Sequence, residues 1–377
     1  MTRRQRSSFG SVTKMDRDTW RLRWWADTPE GRRRVSETVH GARRQAEDRL
    51  AEIRCEVGSE QGGSVTVGQA WERWFAPDCA QRLEEGSLAP NTWRNAEAMW
   101  RKNIAPRWAK VPCTQVRPLD VQEWLLTMTW ANARLAKIVF GQVMGMAAMF
   151  EACDTNPLVL KYRLPKKTGG QADVFTLDEL RDAWAAVHGS PVEAPFLLAA
   201  FGSARVGESL GVMASEVELR EFGGVPVAVA PIVRQVDRDN AVTERLKNEQ
   251  SRRHVVLPGR VGLRLAELAS TAAADGLVWL ADDGTGAPLK QRRVGEAWTA
   301  ALEASGLKVA PFKNLRNSWA TFTHWQLGID PLMVDKMMGH ATGTVLAKHY
   351  DRPDVDMFVE AVARAYVEHP YADGWDI

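Results

Sequence analysis

The hydrophobic period of this chain changes several times along its length, and that limits the folds open to it. Strand-type alternation marks the region before residue 40. Trp20, Leu22 and Trp24 alternate there with Arg21 and Arg23, the turn "TPEG" follows, and "RRRVSETV" reads as a second strand. Helical spacing takes over in "GARRQAEDRLAEIRCEV", with Ala46, Leu50 and Ile53 on one face. The Gly/Ser-containing "SEQGGSVTVG" reads as a linker. Helical patterns then run from 65 to 160. Val67, Ala70, Trp71 and Trp74 share a face, a helix starts near Pro90–Asn91, and "RPLDVQEWLLTMT" and the long apolar "ANARLAKIVFGQVMGMAAMFEACD" give two more. "KYRLPKKTGGQA", with Lys161, Arg163, Lys166 and Lys167 among Pro and Gly, reads as a second linker. Beyond it come helices, a β-rich stretch ("VPVAVAPIV", "ERLKNEQSRRHVVLP"), and helices again to the end.

Two separate sheet-forming stretches among helices, with no internal repeat, call for several domains. The 377 residues allow two or three at about 100–200 residues each. We expect divisions at 1–62, 64–160, a basic linker 161–172, and 173–377. With 45% hydrophobic and 25% charged residues the chain has globular composition, which excludes a wholly disordered or collagenous chain. No apolar run approaches the ~18 residues of a membrane span. The basic start MTRRQRSSFG is followed by polar residues rather than an apolar stretch, unlike a secretory signal.

The net charge of +2 conceals an uneven distribution. Residues 1–44 carry 12 basic and 5 acidic side chains, whereas residues 351–377 carry 2 basic and 7 acidic. A basic head on a neutral body points to a polyanion at one end of the molecule, set against the plainer reading of unequal solvated surfaces. Cys55, Cys79, Cys113 and Cys153 form no CxxC and have no histidine at zinc spacing, so we expect buried or free thiols and no metal. There is no GxxxxGK[ST], no GxGxxG after a strand and no HExxH, so no nucleotide or metal cofactor is expected. "DDGTGAP" lacks the phosphate-loop lysine and reads as a turn. The Trp and Met stripes read as core.

A dispersed set of polar residues remains: Arg205 in "GSARVGESLGV" with Glu208 a turn on, Lys247 in "LKNEQSRRHVVLP", Lys313 and Arg316 in "KNLR", His340 in "MMGHATG", and Tyr350 in "LAKHYDRP". Each alone is weak. In this order they resemble the tyrosine recombinase (phage integrase) family. Its catalytic domain runs Arg, hairpin Lys, His-x-x-Arg, Gly-His or Gly-Trp, then Tyr. "LAPNTWRNAEAMWRKNIAPRWAKVPCTQVRPLDVQEWL" resembles the family's helical core-binding domain, and residues 10–53 its sheet-plus-helix arm-binding module. The fold this implies is multidomain: a small α+β arm-binding module, an all-α core-binding domain, and a mainly α catalytic domain with a small β-sheet, the DNA breaking-rejoining fold.

The resemblance implies a site-specific recombinase that cuts one DNA strand with the Tyr350 hydroxyl. The product is a 3′-phosphotyrosyl link and a free 5′-hydroxyl, and neither cofactor nor metal is needed. Arg205 and Arg316 suit the extra negative charge of the transition state, because guanidinium forks donate paired hydrogen bonds and stay charged. His340 adds a donor, and Lys247 protonates the leaving oxygen. Lys313 stands where the family usually has histidine. It acts as a base only if burial beside Arg205 and Arg316 strips its proton, and more simply as a charged phosphate ligand. His340 is preferred over His349 because Gly339 precedes it, and Tyr350 over Tyr162, Tyr366 and Tyr371 by its surroundings. The implied partners are double-stranded DNA with core and arm sites and a homotetramer on it. A host DNA-bending protein and an excision factor stay open, and no membrane is involved. The implied location is the bacterial cytoplasm or nucleoid, or a phage's host cell. Arg21 and Arg23 would touch arm DNA, and Lys161, Lys166 and Lys167 the phosphate backbone. Three alternatives stay open: a catalytically silent DNA-binding accessory protein on this fold, a chromosome-dimer-resolving recombinase, and a helical interaction scaffold. For the apolar face Val355, Phe358, Val359 and Val362 we expect docking either on a neighbouring protomer or on its own domain.

Overall fold

The computed structural model describes residues 10–28, 31–60, 65–169, 173–340 and 353–377. The chain divides into two units, Met1–Gly169 and Gly170–Ile377.

In the first unit, β1 (Gly10–Asp16), β2 (Thr19–Thr28) and β3 (Gly31–His40) form an antiparallel meander, and α1 (Arg43–Glu60) covers one face. One strand more is present than the alternation alone suggests. Side chains alternate across a strand, so Leu22 and Trp24 point to the helix and pack with Ala46 and Ile53. Arg21 and Arg23 point the other way. Arg21 lies between Thr13 and Thr38, and Arg23 between Ser11 and Ser36. The uncovered face is therefore a flat array of guanidinium and hydroxyl groups. On the covered side Arg49 of α1 reaches back to Glu37 at 3.0 Å.

The rest of this unit is helical: α2 (Val67–Ala70), α3 (Ala76–Glu84), α4 (Pro90–Met99), α5 (Ala105–Trp108), α6 (Pro118–Leu126) and α7 (Trp130–Met149). Two π-helical segments, Trp71–Phe75 and Trp100–Ile104, interrupt it. Each is followed by a proline at the second residue beyond its end, Pro77 and Pro106. A proline inside a helix has no N–H to donate and clashes with the carbonyl four residues earlier, and a π-bulge accommodates that. The two segments meet through Trp71 and Trp100, whose rings stack at 4.4 Å. The Trp and Met stripes are core, with Trp108, Phe140 and Met144 fully enclosed. Cys79, Cys113 and Cys153 are free and buried. The basic stretch after residue 160 is held against this unit. The Gln122 side chain donates to the Arg163 carbonyl at 2.8 Å and accepts from its N–H at 2.9 Å. Lys167 sits 5.5 Å above the Trp130 ring. Lys161, Lys166 and Lys167 are all exposed.

The second unit is built on α8 (Leu177–Val187), the fully buried α9 (Glu193–Ala200), the short α10 (Val206–Ser209), α11 (Gly259–Ala274), α12 (Gln291–Ala304), α13 (Asn314–Trp325), α14 (Pro331–Met338) and α15 (Val355–Glu368). A three-stranded antiparallel sheet, β4 (Glu218–Phe222), β5 (Val225–Ile232) and β8 (Arg253–Pro258), carries α11 and α15. A hairpin of β6 (Gln235–Val236) and β7 (Val242–Thr243) leaves it. The face of α15 expected to dock either in trans or in cis is occupied in cis. Phe358, Val359, Val362 and Tyr366 are buried, and α15 packs on β5 and β8. Beyond it Tyr371 stacks on Phe201 at 5.9 Å, and Trp375 meets Trp184 at 6.1 Å.

Candidate active site

The site is assembled where four chain segments end. The first is the break between α9 and α10. Ser203 takes a left-handed conformation with φ of 62°, rare for a residue with a Cβ. This turns its carbonyl inward. Arg205 follows as the N-cap of α10. Glu208, one turn on, accepts the Arg205 backbone N–H at 2.9 Å and pairs with the Arg205 guanidinium. The second segment is the start of β8, where Arg253 gives its Nη2 to the Glu208 carboxylate at 3.0 Å. The third is the first turn of α13, which carries Arg316. The fourth is the C-terminus of α14. Its free carbonyls and negative dipole end suit cations, and two arrive: Arg253 donates to Met337 at 2.8 Å and Arg316 to Met338 at 2.5 Å.

Both guanidiniums also converge on Ser203, whose carbonyl accepts from Arg316 at 2.5 Å and from Arg253 at 3.2 Å. Exposure is graded across the cluster. The side chains of Arg205, Arg316 and Arg253 are 28%, 9% and 4% exposed. Arg205 therefore faces outward, Arg316 lies behind it, and Arg253 is enclosed. Burial tends to raise the Glu208 carboxyl. The charges of Arg253 and Arg205 and the Arg205 N–H outweigh it and hold the group below the usual carboxylate range. Burial, with Arg205 and Arg253 alongside, pushes Arg316 down to about 9.

Gly339 closes α14 with φ of 67°, and a Cβ there would lie 2.7 Å from the Gln250 carbonyl. The glycine thus lets the end of α14 approach the 249–251 turn. His340 comes next, with its Nδ1 2.9 Å from an Asp335 carboxylate oxygen. With Nδ1–H donating to that acceptor, Nε2 is left to meet a ligand.

Lys247, expected on a hairpin, is exposed in the bend between β7 and the 249–251 turn, within the connection between the paired strands β5 and β8. That loop is tied inward by Ser251, which donates to Asn248 at 2.6 Å and lies 3.5 Å from Arg205 Nη1. Lys313 is the exposed N-cap of α13 and is not enclosed with Arg205 and Arg316. Tyr350 and His349 lie outside the described residues. The other three tyrosines are poor nucleophiles. Tyr162 donates to the Pro157 carbonyl, Tyr366 pairs with Asp373, and burial pushes all three, Tyr371 included, above the ordinary phenol value. Arg253, Ser203 and Asp335 escaped the sequence reading. Arg253 looked like one member of a Ser/Arg cluster, and only its strand-initial place beside apolar "HVVLP" hinted at burial. Among the described residues no group of acidic, His or Cys side chains is placed to hold a metal, and no helix is long and apolar enough to cross a membrane.

No family model and no curated protein matches the sequence. Solved structures do. The fold is that of the tyrosine recombinase integrases, mostly helical with small sheets. In particular, the chain is similar to the Tn1549 transposon integrase in complex with a circular intermediate DNA, with a TM-score of 0.59 and 15% identity over 81% of this chain and 99% of that one. It is also similar to a lambda integrase tetramer bound to a Holliday junction (TM-score 0.55, 16% identity, 91% of this chain and 98% of that one). A lambda integrase dimer bound to a COC′ core site gives a TM-score of 0.53 at 16% identity, over 94% of this chain and 100% of that one.

Proposed function

We propose that this chain is a site-specific DNA recombinase that integrates or excises a phage or other mobile element. The observation that carries the reading is the cluster at Ser203, where Arg205 and Arg316 are held by Glu208 and by helix-end carbonyls on a fold shared with DNA-bound integrases. Two fixed guanidiniums with one facing outward suit a phosphodiester whose non-bridging oxygens gain charge. Preorganised donors of this type contribute about 3–4 kcal/mol each.

In the proposed reaction Tyr350 gives its phenol proton to solvent and attacks the scissile phosphorus as the phenolate while the bond to the 5′-oxygen breaks. Lys247 gives that oxygen its proton, while Lys313 and His340 Nε2 bind the phosphate. The free 5′-hydroxyl of a partner duplex later attacks the phosphotyrosine and releases Tyr350, so the phosphodiester count is conserved. Residues 1–62 serve as an arm-type DNA-binding module, with Arg21 and Arg23 on the uncovered sheet face that a major groove can admit. Residues 64–160 bind core DNA, residues 161–172 form a basic linker, and residues 173–377 catalyse. The working assembly is a homotetramer on two duplexes.

The test is a nicked suicide substrate bearing the attachment core. Wild type forms a covalent protein–DNA adduct and Tyr350→Phe does not; an adduct that survives this change refutes the nucleophile. Lys313→His and Lys313→Ala then separate phosphate binding from base catalysis.

A further inference from the structure

Arg253 differs from the other cluster arginines in what it touches. It gives Nε to Met337, Nη1 to the Ser251 carbonyl at 3.0 Å, and Nη2 to both Ser203 and Glu208. With its side chain 4% exposed it is out of reach of a DNA phosphate. Its four acceptors lie on three stretches of chain: the α9–α10 break, the 249–251 turn and the end of α14. Glu208 orients Arg205. The Ser203 carbonyl also anchors Arg316. Met337 lies at the end of α14, three residues before His340. Ser251 closes the turn that follows Lys247. The guanidinium is planar with donors in a fixed fork, so it imposes one mutual geometry on these three segments.

We propose that Arg253 is a positioning residue that sets Arg205, Arg316, His340 and the Lys247 loop in register for phosphoryl transfer, acting through Glu208 and three backbone carbonyls. The inference rests on the recombinase reading. A lysine at 253 keeps the charge beside Glu208 but is a single-point donor on a flexible stem. It cannot reach four acceptors in one plane. The consequence falls on the rate of cleavage and leaves DNA affinity to the residues that contact the phosphates.

The experiment uses the full chain and the suicide substrate, with Arg253→Lys and Arg253→Gln beside wild type. Three quantities are read: Kd for core DNA, the amplitude of adduct formation, and its first-order rate constant at saturating DNA. For Arg253→Lys we expect Kd within threefold of wild type, an unchanged amplitude, and a rate constant lowered about 10- to 100-fold. In the double variant Arg205→Lys/Arg253→Lys the rate should fall little below that of Arg205→Lys alone, because both changes strike one unit. A merely structural role would lower the amplitude, as a misfolded fraction, and leave the rate constant of the remainder intact; that outcome overturns the proposal. So does a wild-type rate in Arg253→Lys, or full multiplication of the two losses in the double variant. If Arg253→Gln does not fold, Arg253→Lys carries the test. A wild-type chain that forms no adduct at all sinks the recombinase reading, and this inference with it, which is a different result from any of these.

Discussion

Arg253 and Glu208 form an ion pair at 3.0 Å with both side chains enclosed, 4% and 2% exposed. Removing one partner of such a pair leaves the other charge buried without compensation, which costs about 3–5 kcal/mol. Glu208→Gln should therefore lower unfolding stability by about 3 kcal/mol, read from urea denaturation of the full chain. It should also slow adduct formation, since Arg205 loses its anchor. A midpoint equal to wild type would mean that the cluster is held together by its backbone acceptors.

Burial and two neighbouring cations push Arg316 down to about 9, opposed by the Glu208 carboxylate 3.9 Å away, which holds its charge. A cation with a lowered pKa keeps its charge below that value and loses it as pH rises through it. Affinity for core DNA, measured on the Tyr350→Phe chain so that no chemistry intervenes, should weaken above about pH 9. Bound phosphate favours the charged form, so raising the DNA concentration should move the fall to higher pH. Arg316→Gln should bind more weakly and lose that dependence.

Asp335 fixes His340 by accepting at Nδ1. Asp335→Asn keeps the shape but replaces the carboxylate acceptor at Nδ1 by an amide that holds the ring less firmly. We expect cleavage at neutral pH to fall about 10-fold, less than the ~100- to 10,000-fold of a lost acid–base group because His340 itself remains, with Kd nearly unchanged. A parallel loss of affinity would show that Asp335 acts on the fold of α14.

The tail should prove indispensable to folding. Deleting residues 354–377 removes the cover of β5 and β8 and uncovers Phe201 and Trp184. The product should be insoluble or lack a cooperative thermal transition. A truncated chain that still melts cooperatively and still cleaves would restore a purely intermolecular role for this helix.

The arginine face of the N-terminal sheet makes a separable prediction. Arg21→Ala and Arg23→Ala should weaken binding of arm-site DNA, with a shallower dependence on salt, if each neutralises a phosphate, and a loss confined to particular sequences if each reads a base. Core-site cleavage should not change.

Much of this molecule could be read from residue order. Alternation at Trp20–Trp24 placed Leu22 and Trp24 against Ala46 and Ile53, because burial on one sheet face leaves a period of two. The candidate set was legible only through its order along the chain, since each member alone is an ordinary polar residue. The acceptors that hold it were not. Ser203, Met337 and Met338 act through backbone carbonyls, which every residue possesses, so no letter marks them. The hairpin around Lys247 was legible but not the lysine's place in it: the β6–β7 hairpin ends at Thr243 and the lysine falls in the bend after it. The π-helical turns before Pro77 and Pro106 were equally silent, since the flanking helical spacing continues through them.

The left-handed Ser203 restricts how the chain can drift. Its carbonyl faces two guanidiniums because the backbone turns over at this residue, a turn that costs a residue with a Cβ about 1–2 kcal/mol and is least open to one branched there. Glycine should be accepted at the enclosed position 203, losing only the hydroxyl's bond to the Met337 carbonyl, whereas valine or isoleucine should splay Arg253 and Arg316 apart. Such a lesion would leave Arg205, Lys247, Lys313, Arg316, His340 and Tyr350 all in place. On the proposed function, a descendant would keep the full set of letters and be inert, silenced at a serine that performs no chemistry.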